Sequence, residues 1–463
     1  MLETQIPILR SSAVLRAEYF GGYLLNHFLP PEMTLDRIRF QIACMCNGDY
    51  TLREIKEHLA DELSHSREYI DHLVEETLRR FENNLLLSWE NEKLPKPCDF
   101  KHLADMQIEG RRHLSAPLGL IWELTRACNL KCKHCFSDSG RPGRRELTTE
   151  EIKTALDRFA DRKVFYINFT GGEPLLRSDL LEILRYASDK KISIDLSTNG
   201  FLVSAEMVEL LQQTNVFQVQ VSLDGIGDSH DNFRGVKGSF QRALDAIQLL
   251  RQANFDVAIS TSVTKNNIGE VSKLIDLSIN AGASVFKTTL FIPTGRGKLS
   301  QQKLSLDSDD VRQLALLMAA KEKEVSGRIV LEKDGSYPWL LEEDYTGDPA
   351  WMRSPKVGCA AGTSSLFITA DGDVTPCPFL RSMVIGNLLR TDFSEIWESG
   401  ALSVFRILKR DDLKGKCKNC EYLGNQCYGG CRAAALAYNN DLYSEDPLCW
   451  KGNRDSTSKV SEK

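Results

Sequence analysis

The chain has no run of about 18 consecutive apolar residues, which predicts no membrane-spanning helix. It has no basic surplus: 58 Lys and Arg stand against 64 Asp and Glu, a net charge of −6. That balance argues against a dedicated nucleic-acid binder. The start, Met1-Leu-Glu-Thr-Gln, lacks the ordered basic and apolar regions of a secretion signal, so the expected compartment is the cytoplasm. No repeat of fixed period runs through it, which excludes a solenoid. Most telling, no cysteine occurs from 136 to 358, although the chain holds 13. Without a secretion signal, such a number points to reduced thiols and metal sites rather than disulfides.

What is present fits a large globular protein, with 42% hydrophobic and 26% charged residues. At 463 residues it exceeds one ordinary core. The cysteine gap and a Pro-rich run, Lys93-Leu-Pro-Lys-Pro-Cys98, suggest the divisions. A small domain is expected over 1–95, a linker over 96–116 and a large domain over 117–330. A bridge over 331–358 leads to a cysteine-rich domain over 359–452 and a disordered polar tail over 453–463.

The large domain alternates strand-like and helix-like stretches. Short, mostly apolar runs at 118–124, 164–170, 192–197, 217–223, 257–263 and 285–291 read as buried parallel strands. Amphipathic helices are expected at 149–159, 178–188, 204–211, 239–251 and 268–279. Six βα units predict an α/β fold, a partial (β/α)6 barrel whose chemistry sits at the C-terminal ends of its strands.

The first strand leads directly into Cys128-Asn-Leu-Lys-Cys132-Lys-His-Cys135. Thiolates hold iron–sulfur clusters, and a four-iron cluster takes four ligands. Three leave one iron free to bind something else. A zinc knot is the competing reading, but zinc sites usually close with a fourth ligand nearby, and none follows here. The next strands end in Gly171-Gly172-Glu173-Pro174, in Ser197-Thr198-Asn199-Gly200 and in Ser222-Leu-Asp224-Gly225. Paired glycines allow close backbone approach to a ligand, and short polar groups suit hydroxyls or a carboxylate. Each alone is an ordinary turn; in series at successive strand ends they suggest one site.

With its x3-x2 spacing, the cysteine run resembles the signature of the radical S-adenosylmethionine (SAM) superfamily, and the Gly-Gly-Glu-Pro run resembles that family's second motif. The resemblance implies a SAM-dependent oxidoreductase whose 4Fe-4S cluster on Cys128, Cys132 and Cys135 chelates SAM through its free iron. It implies SAM contacts from Gly171, Gly172, Glu173 and Pro174, with Glu173 holding the amino group. Ser197, Asn199, Ser222 and Asp224 are further expected contacts, and Arg234 is expected to pair the SAM carboxylate. His134 stands where the family has an aromatic residue near the adenine, pointing away from the cysteine face.

A second cysteine group comprises Cys359, Cys377 five residues after Gly372, Cys417-x2-Cys420, Cys427-x3-Cys431 and Cys449. This order resembles the SPASM domain, a carrier of auxiliary clusters. By that likeness Cys417, Cys420, Cys427 and Cys449 hold an outer cluster. Cys359, Cys377 and Cys431 hold an inner one with no clear fourth cysteine. A pair of zinc sites is the duller alternative.

In the first 95 residues, Thr51-Leu-Arg-Glu starts an N-capped helix, a second spans 66–80, and 85–89 reads as a strand. Strand-like residues precede them. This winged-helix pattern resembles the PqqD-like peptide-recognition domain, which adds a leader peptide as an extra strand. A DNA-binding winged helix is the alternative, but no basic recognition helix stands out. The whole order resembles the maturases of ribosomally made peptides; 116–149 and 216–238 are especially similar to the mycofactocin maturases, and the likeness covers most of 116–452. The implied partners are a precursor peptide and a flavodoxin or ferredoxin with its reductase, without nucleic acid or membrane. The implied reaction is hydrogen abstraction by a 5′-deoxyadenosyl radical, giving an oxidative crosslink, thioether or decarboxylation. Haem-pathway enzymes share the Cys417–Cys449 style. Sulfatase-type maturases place an aspartate after the inner-cluster cysteine, where this chain has Pro378.

Overall fold

In a computed structural model of the chain, the described residues are 3–28, 32–63, 65–89, 113–140, 145–332, 359–423, 427 and 429–451. The N-terminal unit begins with β1 (Pro7–Leu9) and a meander of β2 (Ala13–Glu18), β3 (Gly21–Asn26) and β4 (Met33–Asp36). Helices α1 (Arg37–Met45), α2 (Leu52–Glu62) and α3 (Arg67–Asn83) follow, and β5 (Leu87–Trp89) returns to pair with β1. A capping box starts α2: Thr51 Oγ1 accepts from Glu54 N at 3.2 Å, while the Glu54 carboxylate accepts from Thr51 N at 2.8 Å. Helix α1 was not expected, because Arg37-Ile-Arg-Phe-Gln-Ile alternates like a strand. The Asp36 side chain caps it by accepting from Arg39 N at 2.8 Å.

The meander has two buried faces, as period-2 alternation allows. Leu15, Leu24 and Leu35 face the helices and share a core with Phe40, Ile55 and Phe81. Tyr23 and Leu25 face the other way and belong to the core of the large domain. Arg16, on the same face, donates to the carbonyls of Pro117 and Lys163 at 2.9 Å each. The N-terminal unit is thus seated on the large domain. Residues 113–116, placed in a linker by sequence, are part of that core: Leu114 and Ala116 are buried, and Trp397 Nε1 donates to the Leu114 carbonyl. The rest of the expected linker, with Cys98, lies outside the described residues, as do 333–358 and 452–463.

The large domain is built on six parallel strands: β6 (Gly119–Glu123), β7 (Tyr166–Thr170), β8 (Ser193–Thr198), β9 (Val216–Ser222), β10 (Asp256–Val263) and β11 (Val285–Leu290). Between them run α4 (Thr149–Asp161), α5 (Leu180–Asp189), α6 (Ala205–Leu211), α7 (Asp228–Arg234), α8 (Ser239–Gln252) and α9 (Val271–Asn280). Another helix, α10 (Ser308–Glu324), precedes β12 (Val330–Glu332), which extends the sheet beyond β11. On the opposite side β13 (Ser365–Ile368) pairs in parallel with β6, followed by antiparallel β14 (Asp373–Thr375) and β15 (Gly386–Asn387). The sheet therefore has ten strands, and the cysteine-rich segment supplies three of them. A last helix, α11 (Arg432–Asn439), ends the described core. Among the described residues no helix is long and apolar enough to cross a membrane.

The strands are less uniformly apolar than the sequence reading had them. Ile167, Phe169, Ile194, Leu196, Val219, Val221, Ile259 and Phe286 are buried against the helices. Their alternates Asn168, Asp195, Ser197, Gln220, Ser260 and Lys287 are half-buried and line the lumen. Ser197 Oγ donates to Asn168 Oδ1 at 2.9 Å, and Gln220 Nε2 to Ser197 Oγ at 3.2 Å.

Candidate active site

The loop after β6 carries Cys128, Cys132 and Cys135 and is held by its neighbours' main chain. Gly172 N donates to the Thr125 carbonyl at 2.7 Å and Glu173 N to Ala127 at 2.8 Å. The approach is so close that a Cβ on Gly172 would lie 2.2 Å from the Ala127 oxygen. On the far side Lys131 N and Lys133 N donate to the carbonyls of Arg234 and Phe233, both at 3.0 Å. The loop after β11 closes the third side. Arg296 donates to the Cys132 and Ser139 carbonyls, and a Cβ on Gly295 would meet the Phe136 oxygen at 2.3 Å. Sequence reasoning missed this contribution; Gly295-Arg296-Gly297 after the sixth strand was its signal.

The three thiols face donors. Leu130 N reaches Cys128 Sγ at 3.5 Å, Ser139 N reaches Cys135 Sγ at 3.4 Å, and Arg234 Nη1 reaches Cys132 Sγ at 3.8 Å. Burial pushes the Cys128 thiol up to about 11 and raises Cys132 as well, so binding of a metal must displace protons. Three sulfurs on one loop, each with an N–H aimed at it, fit an iron–sulfur cluster stabilised by N–H···S bonds.

Several expected SAM contacts are engaged within the protein. The Glu173 carboxylate is fully buried and accepts from Thr198 Oγ1 and Asn199 N at 2.8 Å and from Leu175 N at 3.1 Å. It fastens the end of β7 to the end of β8, and burial pushes it up to about 7. Pro174 follows in a buried turn. Asn199 reaches back to the cysteine loop, donating to Asn129 Oδ1 at 2.8 Å. Ser197 and Ser222 are half-buried at the lumen rim.

Asp224 and Arg234, both expected SAM contacts, are likewise engaged within the protein. They pair with each other: Arg234 Nη2 lies 2.6 Å from Asp224 Oδ2, and both are buried. Asp224 Oδ1 accepts from Ser262 N at 2.8 Å, and Asp224 N donates to His230 Nδ1 at 3.1 Å. His134 stacks on Phe233, ring centroids 4.4 Å apart, with Nε2 3.7 Å from Asp224. Burial holds His134 and His230 down to about 4, so both are neutral at pH 7.

The C-terminal cysteines fall into two groups in space. Cys417, Cys420, Cys427 and Cys449 line one cavity with Tyr422 and Asp446. Cys359 and Cys377 lie close enough to Cys431 to help burial raise its thiol well above the ordinary range. Between the groups sits Asp446, fully buried, its carboxylate accepting from Cys431 N at 2.6 Å and Leu448 N at 2.9 Å. Cys44 and Cys46 are buried in the N-terminal unit, far in sequence from either group.

Comparison with known proteins places this geometry. The model of the radical SAM superfamily matches residues 122–277, and that of the SPASM iron-sulfur cluster-binding domain matches 359–421. An AdoMet-dependent heme synthase of Methanosarcina barkeri is 36% identical over 72% of this chain and 97% of its own. A mycofactocin maturase of Mycolicibacterium smegmatis is 35% identical over 74% of this chain and 84% of its own. Among solved structures, Streptococcus suis SuiB bound to its precursor peptide SuiA superimposes with a TM-score of 0.72 at 20% identity, covering 96% of this chain and 100% of that one.

Proposed function

Since the chain belongs to the radical SAM superfamily and carries its SPASM iron–sulfur domain, we propose that it is a maturase of a ribosomally made precursor peptide. The observation that carries this reading is how far the fold likeness extends. The heme synthase matches over 97% of its own length but only 72% of this chain, leaving it little room for a counterpart of the N-terminal unit. The peptide-bound SuiB structure covers 96% of this chain, so its likeness reaches that unit.

In this reading residues 1–95 are a PqqD-like domain that grips the leader as a strand added to β4, which pairs only with β3 among the described strands. Cys128, Cys132 and Cys135 hold the SAM-binding cluster. The main chain at Gly171, Gly172, Glu173 and Pro174, with Ser197, Asn199 and Ser222, forms the SAM cradle. Cys417, Cys420, Cys427 and Cys449 hold the outer auxiliary cluster, and Cys359, Cys377 and Cys431 the inner one. When bound, these groups supply a 5′-deoxyadenosyl radical and an acceptor for the second electron, making the change a crosslink, thioether or decarboxylation. The polar lumen, with Asn168, Ser197 and Gln220, offers hydrogen-bond partners to a peptide backbone. The electron donor is a cytoplasmic flavodoxin or ferredoxin with its reductase.

The 36% identity to the heme synthase favours a second reading, a haem-pathway enzyme. One experiment separates them. The reconstituted, reduced full-length enzyme is given SAM with either a candidate precursor peptide from a neighbouring reading frame or a tetrapyrrole haem precursor. A SAM-dependent mass change in the peptide, weak when the leader is removed, is expected. Turnover of the tetrapyrrole with an unaltered peptide would overturn the proposal.

A further inference from the structure

Asp195 lies two residues before Ser197 on β8, on the same face of the strand and about 7 Å deeper in the barrel than the lumen rim. Its register partners are Asn168 on β7 and Gln218 on β9. The polar groups nearby are engaged with one another. Ser197 Oγ donates to Asn168 Oδ1 at 2.9 Å, Gln218 Nε2 donates to Asp256 Oδ2 at 2.7 Å, and Lys287 Nζ lies 3.2 Å from the Glu332 carboxylate. Asp195 itself is enclosed, yet among the described residues it has no hydrogen-bond or ion-pair partner. Its charged neighbours lie across the lumen. Strands β11 and β12 do not adjoin β8 in the sheet, but Lys287 and Glu332 both act on the Asp195 carboxyl, so that carboxyl points inward.

Asp195, Asp256 and Glu332 share this part of the lumen with one cation, Lys287, and Glu332 already holds it. Enclosure pushes the Asp195 carboxyl up to about 6, which leaves it mostly ionised at pH 7. An enclosed carboxylate without a donor costs stability, and a cost of that kind inside a binding cavity is one that function retains. We propose that Asp195 is a specificity-determining residue: it binds the ammonium or guanidinium of a Lys or Arg side chain in the segment of the precursor peptide that enters the lumen. A neutral donor would supply the missing hydrogen bond alone. A cation also offsets the surplus negative charge of Asp256 and Glu332, and an anionic group would add to the repulsion. The basic residue is an anchor: its head group is held deep in the barrel, and the carbons of its segment stand between Asp195 and the SAM cradle.

The inference rests on the peptide-maturase reading, and the test keeps the two apart. Wild type and Asp195→Asn are made as full-length chains and reconstituted with iron and sulfide. Iron per chain and SAM binding are measured first, as readouts of an intact enzyme. The probe is the candidate precursor peptide of a neighbouring reading frame, synthesised as encoded and with each Lys or Arg of its core replaced singly by norleucine or by Glu. Mass spectrometry follows modification and gives kcat and KM. One basic residue is expected to stand out. Its change to norleucine should lower kcat/KM about tenfold in the wild type, the loss of one charge-assisted contact, and its change to Glu should lower it further. Asp195→Asn should lower kcat/KM for the encoded peptide by a similar factor, and the two changes together should cost little more than either alone. Losses that simply multiply would overturn the inference, as would a core without Lys or Arg, or one whose basic residues can all be replaced without loss. If Asp195→Asn fails to fold, the order encoded, norleucine, Glu in the wild type decides. A wild type that leaves the encoded peptide unaltered would instead remove the peptide-maturase reading itself.

Discussion

Arg16 and Glu18 form an ion pair of 2.9 Å that is almost wholly shut away from solvent, wedged between the N-terminal meander and the large domain. Glu18 also accepts from Ser115 N at 2.8 Å, and the Arg16 guanidinium lies 4.8 Å from the Phe165 ring centroid. Burial pushes the Glu18 carboxyl above its ordinary value even with Arg16 beside it. Such a pair is costly to bury and more costly to break. Arg16→Ala is expected to destabilise the protein by about 3 kcal/mol, because Glu18 keeps its charge without its partner. The double change Arg16→Met with Glu18→Leu is expected to recover most of that loss. Denaturant unfolding of the three proteins measures both. Equal stability of Arg16→Ala and wild type would mean that the unit is not seated on the large domain in solution.

Asp195, in the lumen, carries a pH signature. Enclosure pushes its carboxyl up to about 6; Lys287 works against the shift, while Glu332 and Asp256 add to it. The folded state therefore binds this proton more tightly than the unfolded chain. Below the unfolded value both states are protonated and burial of charge costs nothing. Stability then falls as pH rises through about 6 and is level above it, a loss of about 3 kcal/mol at most. Asp195→Asn is expected to lack this decline and to be the more stable protein at pH 7. Unfolding curves from pH 4 to 8 for both proteins check it; parallel profiles would remove Asp195 from the account.

For the cysteine loop, replacing Cys128, Cys132 and Cys135 together by Ala is expected to abolish reductive cleavage of SAM to 5′-deoxyadenosine. Iron should fall from roughly twelve to roughly eight per chain, the loss of one four-iron cluster. Cleavage that persisted in the triple variant would sink the central assignment.

Much of this was legible in the sequence. The six strands of the barrel lie within two residues of their apolar runs, since a helix layer covers one face of each. Ser66 and Thr51 mark helix starts because capping is local chemistry. What stayed hidden depends on distant partners. Ser365–Ile368 pairs with Gly119–Glu123 across most of the chain, and nothing in either segment announces the other. The lumen's polar lining was overlooked because one face of each strand carries the apolar signal for both. Asp224 and Arg234 were each recognised as site residues. That they turn toward each other is set by the bond to Ser262 and the seam at Lys131, which no spacing records.

The C-terminal cysteines give the last prediction. Cys417, Cys420, Cys427 and Cys449 surround one cavity, while Cys431 faces Cys359 and Cys377. The two groups interleave in sequence, since Cys431 follows Cys427 by four positions and yet belongs with cysteines far upstream. Cys431 is the N-cap of α11: its sulfur accepts from Ala434 N at 3.4 Å, and its N–H is turned to Asp446. Two double variants test the division, each made in the full-length chain. Cys417→Ala with Cys420→Ala, and Cys377→Ala with Cys431→Ala, are each expected to lose about four iron and to retain the remaining clusters. Both should keep SAM cleavage without peptide, because the three-cysteine loop is untouched. Combining one change from each group, Cys427→Ala with Cys431→Ala, should cost about eight. If this adjacent pair cost only about four iron while each same-group pair cost about eight, the groups would be divided differently, with Cys427 and Cys431 on one cluster.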